Sequence, residues 1–166
     1  ELALALESGF STVKGKQIDT LYKKYNAALP KAGEFERFLS AAIESVVTTP
    51  ELVLPVFMRG HIFQSLALAC LALKDDTVRH NLVDSADAAL LDRIRAQAVP
   101  IDVLAGALRD PENYVGLQDF LDGASKKTNV GESKEVRFLY FYFGRQVKYY
   151  GVVPVSDVAH CEGALT

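Results

Sequence analysis

With 166 residues, 49% of them apolar and 23% charged, the chain is long enough for one domain with a proper core and lies far from disordered compositions. Its net charge of −3 excludes the global basic field that gathers nucleic acid without further help. Two cysteines, Cys70 and Cys161, do not make the disulfide framework of a small secreted protein, so an intracellular, cytoplasmic setting is expected. The first residue is Glu1 rather than a methionine, and Glu1–Phe10 lacks the positive n-region of a signal peptide. We therefore expect residues 1–166 to be a single helical domain belonging to a longer chain.

Leu2, Leu4 and Leu6 alternate with alanine, a pattern equally compatible with a short helix or a strand. Ser8–Lys16 (SGFSTVKGK) reads as a loop and misses the phosphate-loop pattern. Gly9 stands one residue too far from Gly15, and Gln17 follows Lys16 where a magnesium-binding Ser or Thr belongs. Ile18, Leu21, Tyr22, Tyr25 and Leu29 have helical spacing, opposite Asp19, Lys23 and Lys24. Phe35, Phe38, Leu39, Ala42, Ile43, Val46 and Val47 repeat at three and four residues and predict a second amphipathic helix, buried along that stripe. Thr49-Pro50-Glu51 and Asp110-Pro111-Glu112 both look like capped helix starts.

Gly60–Asp76 (GHIFQSLALACLALKDD) is the stretch the rest must enclose. Ile62–Leu73 is nearly all Ile, Phe, Leu, Ala and Cys, with good helix formers and no proline. A helix apolar on every side has to be wrapped by others. At roughly 18 Å it is too short for a hydrocarbon layer of roughly 30 Å. Further helices are expected over Thr77–Val83, over Ser85–Ala98, over Ile101–Leu108, and from Glu112 to Leu121 with Gly123 as its C-terminal cap. Ala124–Gly131 is the one exposed loop of any length. Ser133 then caps a helix reaching about Tyr149, with Val136, Leu139, Tyr140, Phe143 and Val147 as its stripe and Phe138, Phe141 and Tyr142 widening it.

About seven or eight short helices joined by short loops give an all-α fold, a compact bundle around a buried central helix. A HEAT-like or armadillo-like repeat is the alternative, but no solenoid period recurs.

No constellation carries chemistry. His61 has no partner at metal-ligand spacing, and Phe57 and Ser65 stand four residues to either side. His80 sits in a polar turn, and one helix or strand face does not present both His160 and Cys161 to one metal. Cys70 lies among apolar neighbours that disfavour its thiolate. We expect no catalytic residue, no metal and no cofactor.

Charge patterning is the feature above background. Lys14–Lys31 carries +4, Asp75–Asp122 carries −6 and Lys126–Lys148 again carries +4. The expected function is a non-enzymatic helical domain that binds a protein by shape and charge, a scaffold or interaction module of a larger assembly. The alternative is RNA binding, or nucleic-acid binding in general, through the two basic segments. The partner-binding candidates are Lys23, Lys24, Lys126, Lys127, Arg145, Lys148, Tyr149 and Tyr150, cations interleaved with rings that could stack on bases. Against this, aromatics at helical spacing such as Phe138–Phe143 usually belong to a core.

Overall fold

The computed structural model describes residues 5–6, 9–10, 19–20, 23–24, 32–126 and 128–147. Within them the chain is all-α. In order come α1 (Ala32–Val47), α2 (Gly60–Ala72), α3 (Asp76–Arg79) running on into a π-helical turn (His80–Asp84), α4 (Ala88–Ala96), α5 (Ile101–Arg109), α6 (Gln118–Ser125) and α7 (Gly131–Gly144). Short 3-10 turns at Pro50–Leu52, Pro111–Asn113 and Val115–Leu117 fill the connections. The described residues contain no strand and no helix long and apolar enough to cross a membrane. The alternating segment at residues 2–6 and the helix predicted over 18–29 fall largely outside the described residues.

Two helices share the centre. α2 is enclosed as its composition requires, with Ile62 and Leu66–Ala72 all buried. α7 is enclosed as well, because Val136 and Phe138–Phe143 turn an aromatic or aliphatic side chain in nearly every direction, and all of them are buried. The two helices pack on each other, α1 lies against α2, and α4, α5 and α6 lie against α7. At the contact, Phe141 meets Phe57 edge-on at 5.5 Å and Phe120 at 5.6 Å, and Phe120 also meets Tyr140 at 5.4 Å. Such edge-to-face pairs add about 0.5–1.5 kcal/mol each beyond the area they bury. Phe10, from the N-terminal segment, reaches Phe138 at 4.9 Å.

Local capping differs from expectation in instructive places. Asp75 caps α3 through its Oδ1, which accepts from the N–H groups of Thr77 and Val78, and Asp87 caps α4 in the same manner at Leu90. Thr49 does not cap: its hydroxyl donates back to the Ser45 carbonyl at 2.8 Å. With Pro50 and Pro55 withholding backbone donors, the segment after it makes only the 3-10 turn. Asp110 likewise takes the side-chain amide of Asn113 instead of a helix terminus, and the predicted helix from Glu112 becomes two 3-10 turns before α6 begins. Val115, inside the predicted Glu112–Leu121 helix, is 79% exposed. α7 starts at Gly131, two residues before the predicted cap Ser133, and stops at Gly144 rather than near Tyr149.

Gly144 explains the tight seat of the end of α7. A Cβ there would stand 2.9 Å from the Val99 carbonyl oxygen and 3.2 Å from Leu104 Cδ1. The neighbour is backbone and cannot swing away. Gly144→Ala should therefore destabilise the fold by about 1–3 kcal/mol, despite the better helix propensity of alanine. Urea unfolding of the two proteins measures this, and equal midpoints would show that α7 does not close onto the Val99–Ile101 turn.

Candidate interaction surface

Arg137 and His61 are polar groups occupied in holding the fold, whereas Arg145 Nε is buried without a hydrogen-bond partner among the described residues. The carbonyls at the C-terminus of α6 point at two basic side chains from other helices. Arg137 of α7 is 1% exposed; its guanidinium donates to the Gly123 carbonyl, to the Thr128 carbonyl at 3.0 Å and to Ser65 Oγ at 3.3 Å. His61, at the start of α2, places Nε2 2.9 Å from the Ala124 carbonyl oxygen, so that nitrogen carries the proton and donates. Cationic and donor groups at a helix C-terminus meet both the unpaired carbonyls and the negative end of the dipole. His61 is thus a structural histidine, spanning from α2 to α6.

Gly123, predicted as the cap of α6, lies inside that helix. A Cβ there would stand 3.3 Å from the Ser133 carbonyl oxygen and 3.5 Å from Arg137 Cγ. Its missing side chain lets α7 come close enough for Arg137 to reach.

Other titratable groups are set by burial. Burial pushes the Cys70 thiol up, only partly offset by the charges of Arg145 and Lys74, so the thiolate is disfavoured at neutral pH. The Tyr140 phenol is pushed up to about 12 by burial and then by the charge of Asp119, and its Oη donates to Gln97 Oε1 at 2.7 Å. Glu135 is raised by burial, then by the like charges of Asp87 and Glu132. Among the described residues no three His, Cys, Asp or Glu side chains come together as a metal would require.

Among the described residues, two clefts carry charged side chains. One, of about 290 Å³, lies between α4, α6 and the start of α7, lined by Arg93, Asp119, Asp122, Lys126 and Glu132. Its charges largely cancel, Arg93 pairing with Asp119 at 3.4 Å and Lys126 with Asp122 at 3.0 Å. The other, of about 480 Å³, sits at the N-terminus of α5 and is lined by Glu51, Asp102 and Arg145 among apolar residues. Arg145 Nη1 stands 3.7 Å from Glu51, and with two carboxylates against one guanidinium this cleft does not attract anions.

The sequence-predicted binding residues separate accordingly. Lys126 and Arg145 fall in different clefts, each beside an acid. Lys23 and Lys24 are exposed on a helical turn. Lys127, Lys148, Tyr149 and Tyr150 lie outside the described residues. The rings of Phe138–Phe143 are core and do not face a ligand.

A different surface was missed. Leu39, Ile43 and Val47, four residues apart along α1, are 41%, 39% and 55% exposed. The face of α1 that is buried carries Ala42, Ser45 and Val46 instead. Seven apolar positions between Phe35 and Val47 cover more of the helix circumference than one packing partner needs, and that excess width was the signal available in the sequence. No protein-family model, no curated protein and no solved structure matches the chain.

Two outcomes follow. Arg137→Met should cost about 2–4 kcal/mol in urea unfolding, because it leaves the Gly123 and Thr128 carbonyls buried without their donor; a cost under about 1 kcal/mol would mean water replaces the guanidinium without loss. For Tyr140 the folded state holds the phenol protonated up to about 12, against 10.0 unfolded. Its contribution is full below pH 10 and is lost as pH rises from there through 12. Stability should therefore fall as pH rises from 10.0 towards about 12, more steeply in the wild type than in Tyr140→Phe; parallel curves would contradict the assignment.

Proposed function

We propose that this chain is a non-enzymatic helical interaction domain, a scaffold element of a larger intracellular assembly, that binds a protein by shape and charge complementarity. The observation that supports this reading is the exposed apolar row Leu39, Ile43 and Val47 on α1, where the apolar residues of α2 and α7 among the described residues are largely buried in the core. An amphipathic helix with one face in the core and a second apolar row outward is suited to a helix-in-groove or helix-on-helix partner. The titratable groups support the same reading: the carboxylates in the two clefts are mostly paired with cations, and the thiol of Cys70 is enclosed.

The nucleic-acid reading retains one favourable observation, the exposed Lys23 and Lys24. It predicts binding of a mixed oligonucleotide that weakens steeply with salt, and absence of binding at low salt eliminates it.

The test of the interaction reading is a double variant, Leu39→Ser with Ile43→Ser. Both side chains are partly exposed, so melting should shift by only a few degrees. Proteins captured by the wild type from a cell extract should be lost from the variant. Capture unchanged by the substitution would remove α1 from the binding surface and leave the reading without support.

A further inference from the structure

We propose that the occupant of the α1 face is a basic amphipathic helix, with an apolar ridge for Leu39, Ile43 and Val47 and lysines or arginines along its flank. This inference rests on the interaction reading above and adds the chemistry of the partner. Glu36 stands three and seven residues before Leu39 and Ile43, which places it on the same side of α1, and Glu44 adjoins Ile43. Both glutamates are exposed. Neither forms an ion pair with a described residue; exposed Asp102, Glu112 and Glu132 share that state, while Asp76, Asp84, Asp92, Asp119 and Asp122 each have an Arg, Lys or His partner. The nearest cation in sequence, Arg37, has its guanidinium over the Phe38 ring at 5.1 Å. The apolar row is therefore edged by negative charge that the described residues leave unanswered, and complementary charge on a partner would answer it.

Size and sign argue against a second copy of the chain. The eight helical rises from Leu39 to Val47 span about 12 Å, and three partly exposed side chains fall well short of the roughly 800 Å² per partner of a stable dimer. A two-fold pairing would also bring the same acidic edge from both copies to one interface. A single helix of a few turns matches the length of the row and the charge beside it.

The experiment uses the full chain, labelled with ¹⁵N, and two synthetic helical peptides. Both carry a leucine ridge at helical spacing; one has lysine on its flanks and the other glutamate. The lysine peptide should shift the amide signals of α1 and bind about ten-fold more tightly than the glutamate peptide at low salt, the gap closing as salt screens it. Glu36→Gln with Glu44→Gln should abolish that preference without changing the melting temperature. Equal binding of the two peptides would overturn the basic partner while leaving α1 a docking face. No shift in α1 with either peptide would overturn the docking face as well. Shifts of α1 signals on simple dilution would assign the face to a second copy. Shifts on reversing Lys23 and Lys24 to glutamate, with no peptide present, would assign it to the chain's own basic segment. Each of these last two results would overturn the proposal.

Discussion

The described fold depends on a guanidinium held inside it. Arg137 is as buried as the phenylalanines around it, and a charge in that position is tolerable only where dipoles surround it. The carbonyls of Gly123 and Thr128 and the hydroxyl of Ser65 supply them. Because these acceptors belong to α6, to the turn after it and to α2, one side chain of α7 fixes the mutual position of three elements. His61 repeats the link from α2 to the same helix end. The unpaired carbonyls that every helix leaves at its C-terminus thus become the attachment point for the centre of the bundle.

The aromatic cluster follows from that placement. With α6 tied to α7 at one end, Phe120 is carried against Tyr140 and Phe141, while Phe57 closes on Phe141 from the α1–α2 connection. Lys74, just beyond α2, donates to Ser45 Oγ at 2.8 Å and ties that end of the centre to α1. α1 is the outermost long helix among the described residues. It meets the core through small residues, Ala42, Ser45 and Val46, so it sits close to α2 and needs no larger side chains there.

What could be read from the sequence tracks how local the cause is. The enclosure of α2 is legible because composition decides it, with almost no polar side on which Ile62–Leu73 could meet water; Leu73, the C-cap at 38% exposure, is the exception. The Asp75 and Asp87 caps, which are not among those predicted, also arise within a single turn. Thr49 and Asp110 satisfied the same rule on paper, but the nearby prolines and Asn113 offered competing geometry, and the nearer partner won. Arg137 was counted among the charges of a basic segment because nothing within a few residues reveals its burial; its acceptors come from elsewhere in the chain. Gly123 reads as a stop signal for the same reason, since the backbone it makes room for lies across the contact. Lys126 and Arg145 were grouped by proximity in sequence, yet their neutralising acids, Asp122 and Glu51, divide them between two clefts.

The α1 row shows why a correct helix assignment can still misplace its surface. Periodicity identifies which residues share a face, but not how many faces are covered, and the seven apolar positions of α1 span two adjoining faces. α2 covers one. The chain keeps leucine, isoleucine and valine on the other, where alanine would serve the helix at least as well. Soluble folds scatter single apolar side chains over their surfaces without consequence, but a row aligned at four-residue spacing on a rigid helix presents its side chains already ordered. A partner then loses little of its binding energy to fixing this side of the contact. Contact of that kind needs neither an enclosed pocket nor a titrating group.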